Sequence, residues 1–445
     1  MISLSKSKSK ILPAIRRKAH HHWQDILLIV VIAAIAGIAS YLGAQLINPA
    51  FTWDKQLGDG WFNNDTTRTF DDMAVFEAHH HRTNLHPLFV ILIMPLVYAI
   101  RGLFSVDSVT AVRISLAGVT FLWFGTLFLL FRLLAIRRVD AILFTVLAGS
   151  SAAAMFWFVM PETYPFGSYT MLLGLLLAAV AEYRLIASGW YIAVGALTLG
   201  ITVTNWMVGI LAAIVNHPWK KSLLILVQTY LLVSALVVVQ KLIFPEFNAG
   251  FLKLFLVAHN EVDTAGNLQV EYGGPLTQVK CFIFDTIVLP SIYLLKNKFA
   301  IGSKMSVALS PPGSASVWGS VAVVLWLALF SLGVWALVSL KSYKRFRLVL
   351  GLSLLGQLAL EMVYGDERFV HSIHFLPFLI VVAALSTLTR ARVLALFLAG
   401  ALVVTAGVNN TLQFNKALEY SYGRGQLCTD PAMCNVQNTT IPPGL

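Results

Sequence analysis

Apolar runs of about 20 residues, the length that crosses the hydrocarbon core of a bilayer, recur along this chain, beginning with Ile26 to Ile47. In lipid every backbone N–H and C=O must find its partner within the spanning structure, which leaves helices or closed barrels. Alternating strand patterns of barrel type are absent. With 58% hydrophobic residues, 12% charged residues and a mean hydropathy of +0.76, the chain could not cover a soluble surface of its size. The sequence therefore predicts an all-α polytopic membrane protein.

Charge sets the expected topology. The runs fall near 26–47, 108–132, 139–160, 165–187, 190–204, 206–217, 219–243, 317–340, 346–363, 370–388 and 391–408. A further stretch, Pro87 to Leu103, carries Pro95 and Arg101 and is expected to lie as a juxtamembrane helix. That choice places Arg132, Arg137, Arg138, Arg184, Lys220, Lys221, Lys341, Lys344, Arg345, Arg347, Arg390 and Arg392 beside a cytoplasmic N-terminus, as the positive-inside rule asks. About 11 transmembrane helices follow, a multi-pass protein of the plasma or inner membrane. The formal net charge of +11 belongs to these loops and to the basic N-terminus, which suits anionic lipid rather than nucleic acid. No signal-peptide cleavage site follows the first run.

The expected organisation is a basic cytoplasmic N-terminus (1–25), a transmembrane module (26–243) with an outer loop (48–107), a long outer-face segment (244–316), C-terminal transmembrane helices (317–408) and an outer-face tail (409–445). A helix near 277–297 is expected within the long segment. Cys428 and Cys434 in the tail are spaced to close a small disulfide loop, and Cys281 reads as packing.

The stretch from Asp54 to Pro87 departs most from this background. It holds Asp54, Asp59, Asp65, Asp71, Asp72 and Glu77, from a total of 21 acids, together with Arg68, Arg82, His79 to His81 and His86. Other polar groups expected on the same face are Glu162, Asn205, Lys241, Asp366, Glu367, Arg368, His371 and His374. Ionisable groups at an interface are costly, so they face a cavity or one another. Carboxylates and cations at one depth suit a reaction between an anionic lipid-linked donor and a hydroxyl acceptor. A carboxylate takes the acceptor proton, and Arg, Lys or His stabilises the departing phosphate. His79 to His81 are consecutive, point in different directions and do not converge on one metal ion.

Several short patterns, taken in order, resemble the GT-C superfamily of polyprenyl-phosphate-sugar-dependent glycosyltransferases, which includes protein O-mannosyltransferases and the lipid A aminoarabinose transferase. Asp65 in DTTRTFDDM is similar to the acid that opens the family's first outer loop. His86–Pro87–Leu88–Phe89 is similar to the basic–Pro–apolar start of a juxtamembrane helix, running on to LFSVDSVTAVRIS. Glu162 stands where a second acid follows the third span, and GALTLGITVTNWMVG is similar to a glycine-bearing short helix pair. The overlap covers roughly residues 26–217, and the later half matches only in hydropathy and loop placement. Two departures stand out. Thr66 takes the place of a second acid beside the first, and Asn205 stands where many members have Lys.

The resemblance implies a GT-C-like bundle with juxtamembrane helices in the first outer loop, and inverting transfer of a monosaccharide to an acceptor hydroxyl on the extracytoplasmic face. Asp65 is the implied base, with Asp71, Asp72 and Asp59 as alternatives. Glu162, Arg68, Asp71 and Asp72 are implied for acceptor binding or for an optional divalent cation (Mg or Mn), no cofactor being required. Arg368, Lys241, His86, His371 and His374 are implied donor-phosphate ligands. Trp53, Trp61 and Tyr164 are placed to stack on a sugar. The partners are then a polyprenyl-phosphate-linked sugar, a glycan, lipid or protein acceptor, and membrane lipids. A transporter or flippase is the first alternative, though the sequence lacks the internal repeat that many transporters have. An O-antigen ligase or polymerase is the second, and the 244–316 segment suits it.

Overall fold

The computed structural model describes residues 22–54, 60–80, 84–244, 275–296, 303–363 and 368–423. The expectations for Asp59, His81, Arg82, Asp366, Glu367, Cys428 and Cys434 lie outside these residues, as does that for the side chain of Arg368.

Each apolar run forms helix. The first is α1 (His22–Leu46), followed by the short α2 (Ala50–Trp53) and α3 (Thr66–Ala74) and then α4 (Phe89–Phe104). α5 (Ser108–Leu133) is capped by the Asp107 carboxylate, which accepts from Thr110 N at 2.9 Å. The run at 139–160 is two helices, α6 (Arg138–Ser150) and α7 (Ala152–Trp157), broken at Ser151. The chain continues through α8 (Thr163–Ala181), α9 (Ser188–Ile201), α10 (Trp206–Asn216) and α11 (Trp219–Ile243). After α12 (Pro275–Lys280), a π-helical turn (Cys281–Asp285) and a hairpin of β1 (Tyr293–Lys296) with β2 (Ser303–Ser306), the last helices are α13 (Val317–Ser339), α14 (Lys344–Val363), α15 (Ser372–Leu385) and α16 (Arg392–Ser421).

Seven helices among the described residues are long and apolar enough to cross a membrane: α1, α5, α8, α11, α13, α16 and the Phe369–Leu388 stretch that contains α15. The expectation of about 11 exceeds this in part because α9 and α10 are short and the 139–160 run breaks at Ser151. α4 is also short and carries Pro95 inside it.

Among the described residues the fold is that of an all-α membrane protein with one small exception. The helix expected over 277–297 ends at Asp285, and Tyr293 to Lys296 pair antiparallel with Ser303 to Ser306. The segment between them fills the break at Ser151: Ala152 N and Ala153 N donate to the carbonyls of Ile287 and Thr286 at 3.1 and 3.0 Å. Asn410 from α16 bridges the same place, donating to the Ser150 and Ile287 carbonyls at 2.8 Å each. These bonds satisfy backbone groups that a helix break would otherwise leave buried and unpaired. They also explain why α16 continues past the expected end near 408, since Asn409, Asn410 and Gln413 are buried against that segment.

Candidate functional site

The acidic loop enters through two consecutive left-handed residues, Phe62 (φ 55°) and Asn63 (φ 56°). A left-handed phenylalanine is an uncommon, strained conformation. Here packing holds it. Phe62 is buried edge-on against Phe156, Trp157 and Phe369, with ring centroids 5.0–6.3 Å apart. The reversal turns Asn63 outward, where its Oδ1 accepts from Lys304 Nζ of β2 at 3.1 Å. Asn64 and Thr66 hydrogen-bond side chain to side chain, and α3 begins.

Asp65 is the N-cap residue of α3, yet its carboxylate makes no cap bond. It turns instead to Arg68, whose Nη2 donates to Asp65 Oδ2 at 2.9 Å while Nη1 donates to Asp72 Oδ2 at 3.2 Å. His80 Nδ1 lies 2.7 Å from the other oxygen of Asp72. The backbone N–H of Asp65 is taken up by Glu162, the N-cap of α8. Its Oε1 accepts from Asp65 N at 2.7 Å, and its Oε2 accepts from Thr163 N at 3.1 Å and Thr69 Oγ1 at 3.3 Å.

Exposure separates the roles of the two acids. The Glu162 carboxylate is fully buried, whereas the Asp65 side chain keeps 27% exposure. Burial pushes the Glu162 carboxyl up, with the neighbouring Asp65 charge adding to it, to about 7 against the opposing Arg68 charge. Burial alone would lower the Arg68 pKa. The charges of Asp65, Asp72 and Glu162 outweigh it and hold the guanidinium more firmly protonated than usual.

A second polar set lies one turn further along α8, around Gly167. A Cβ at Gly167 would fall 2.7 Å from His374 Nε2, 2.8 Å from Asn205 Nδ2 and 3.2 Å from Thr202 Oγ1. Thr202 Oγ1 is 3.3 Å from His86 Nδ1, which is 2.9 Å from the Ile201 carbonyl oxygen. The bare glycine is what allows these groups to meet. Asn205 and His374 are buried, and among the described residues both Asn205 amide atoms and His374 Nε2 lack a hydrogen-bond partner. Buried polar atoms without partners are costly in a folded chain. Tyr164 packs its ring edge-on to His371 and to His374 at 5.4 Å each, and His371 Nδ1 is 3.2 Å from Glu361 Oε1.

The structure thus gathers Asp65, Arg68, Asp72 and Glu162 in one cluster and His86, His371, His374 and Tyr164 in another, both at the start of α8. Asp71 is half-buried on α3. Lys241 is exposed at the end of α11. Its neighbour Gln240 is the residue that reaches inward, accepting from Ile91 N and donating to the Pro87 carbonyl, each at 2.9 Å. Trp61 is fully buried against Phe62, Phe156 and Phe414, so it offers no face to a sugar. Trp53 is 56% exposed. Sequence reasoning missed Gln240, Thr202 and Lys304. Only tertiary packing distinguishes them from ordinary helix and strand residues.

The residues at Asp65 do not fit a resident divalent cation well. Arg68 already supplies the cation between Asp65 and Asp72, and both Glu162 oxygens accept protein donors. Among the described residues no group of three or more His, Cys, Asp or Glu converges as a metal site. The chain matches no protein-family model, no curated protein and no solved structure.

Proposed function

We propose that this chain is a membrane glycosyltransferase of GT-C type. It moves a monosaccharide from a polyprenyl-phosphate donor to an acceptor hydroxyl, with Asp65 as the base and inversion at the anomeric carbon. The observation that carries the reading is the asymmetry of the acid pair: a partly exposed carboxylate is oriented by a buried arginine and fixed through its backbone by a buried glutamate.

In that reaction the acceptor oxygen loses its proton to the Asp65 carboxylate and bonds to the anomeric carbon, while the bond from that carbon to the phosphate oxygen breaks. The phosphate leaves with the bonding electrons and needs no strong acid. Arg68 holds the carboxylate oxygen in place through a charge-assisted hydrogen bond. The Asn205 side-chain amide offers N–H groups, without a partner among the described residues, to the oxygens of the departing phosphate. On this reading the active site faces the extracytoplasmic side, with the basic N-terminus in the cytoplasm.

The test is a panel of polyprenyl-phosphate monosaccharides given to the purified protein with membrane extract as acceptor, following release of free polyprenyl phosphate. Release with one donor sugar is expected. No release with any donor would leave the transferase reading without a substrate.

A further inference from the structure

Arg68 is gripped at both terminal nitrogens of its guanidinium. Asp65, Arg68 and Asp72 fall on one face of α3, at i,i+3 and i,i+4 spacing. Nη2 donates to Asp65 Oδ2 at 2.9 Å, and Nη1 donates to Asp72 Oδ2 at 3.2 Å. A single carboxylate would leave the side chain room to swing, since one partly exposed ion pair contributes little. Two carboxylates, one on each end of a planar fork, set its orientation.

Asp72 is fixed in its turn. Its other oxygen, Oδ1, lies 2.7 Å from His80 Nδ1, which puts the imidazole proton on Nδ1, facing the carboxylate. The His80 side chain has 0% exposure and that of Asp72 7%, against 27% for Asp65. His80 Nε2 is buried and has no hydrogen-bond partner among the described residues. So enclosed a nitrogen is out of reach of an acceptor hydroxyl, and the effect of His80 on the reaction passes through Asp72.

The seat of His80 is firm. Its ring meets Phe244 edge-on at 5.4 Å, and Phe244 is the residue that closes α11. In the last turn of α11, Gln240 ties that helix to the start of α4 through Ile91 N and the Pro87 carbonyl. On the opposite face of α3, Phe70, Met73 and Ala74 pack with Phe89 and Ile93 of α4. A helix of nine residues does not hold its own shape in water. Here α4 grips one face, and the Asp72–His80 pair fastens the other to the end of α11.

We propose that Asp72 and His80 are positioning residues: together they fix Arg68, and through it the direction in which the Asp65 carboxylate meets the acceptor proton. That role rests on Asp65 being the base of the proposed transfer. It takes Asp72 out of acceptor and cation binding, because both of its oxygens are engaged by protein donors. A base displaced by about 1 Å loses much of the rate, while substrate binding stays as it was.

The test follows release of polyprenyl phosphate by the full-length protein carrying His80→Leu, His80→Asn or Asp72→Asn, with thermal unfolding alongside. His80→Leu keeps apolar bulk against Phe244 and removes the donor, whereas His80→Asn returns an N–H near the place of Nδ1. His80→Leu and Asp72→Asn should each lower kcat about tenfold, with the KM of donor and acceptor within about twofold of wild type. His80→Asn should recover most of the rate. Combining His80→Leu with Asp72→Asn should lower kcat no further than either alone, because both act through one guanidinium. A normal kcat in His80→Leu or Asp72→Asn, losses that multiply when the two are combined, or a raised acceptor KM in Asp72→Asn would each overturn the proposal without touching the assignment of Asp65. Asp72→Asn decides the matter where His80→Leu does not fold. No release by wild type from any donor would overturn the transferase reading and this proposal with it.

Discussion

The backbone N–H of Asp65 donates to Oε1 of Glu162 at 2.7 Å, across 97 positions of sequence. That bond joins the first turn of a short loop helix to the N-cap of a candidate membrane span. It fixes where the Asp65 carboxylate stands without using the carboxylate itself, and it places Glu162 in a supporting role.

A buried carboxyl pushed up to about 7 from an ordinary 4.5 binds its proton more tightly in the folded chain than in the unfolded one. Its contribution to stability is therefore fully present below about pH 4.5 and is lost as pH rises toward about 7. Glu162→Gln removes that slope. Thermal midpoints measured across this window should fall with rising pH in wild type more steeply than in the variant. Parallel curves would show that Glu162 titrates normally.

Gly167→Ala tests the polar set around His374 and Asn205. The added Cβ would lie 2.7 and 2.8 Å from their nitrogen atoms, so both must shift. Overpacking of this kind costs about 1–3 kcal/mol. A lower unfolding midpoint is expected together with a higher KM for the donor. A normal donor KM in a destabilised variant would separate this polar set from donor binding.

Trp61 distinguishes a wall from a platform. Because its ring is buried among Phe62, Phe156 and Phe414, Trp61→Phe should lower stability by about 0.5–3 kcal/mol, as core substitutions generally do. The KM for donor and acceptor should stay within twofold or so of wild type. A raised KM with unchanged stability would return Trp61 to a sugar-stacking role.

Much of the helical layout was legible because lipid leaves an apolar run few alternatives to helix. The stretch from Pro87 to Leu103, expected as a juxtamembrane helix, forms the helix Phe89–Phe104 with Pro95 inside it. The hairpin that brings Lys304 to Asn63 was not legible, since YLLK and SKMS carry no turn or alternation signal strong enough to pair them. The extension of α16 was hidden for a related reason. Asn409, Asn410 and Gln413 look like a polar helix exit in sequence, and it is the break at Ser151, the backbone of 287–292 and Ser316 that give them partners. Within the site, the spacing of Asp65, Arg68 and Asp72 on one helical face was readable. The burial of Glu162, and hence its bracing of Asp65, depended on contacts across 97 residues.

The most direct measurement compares release of polyprenyl phosphate by wild type and Asp65→Asn, with folding followed by thermal unfolding. Loss of a positioned general base lowers the rate by about 10²–10⁴-fold. A fall of that size with an unchanged unfolding midpoint is expected. Near-normal release by Asp65→Asn would place the base elsewhere and contradict the assignment of this carboxylate.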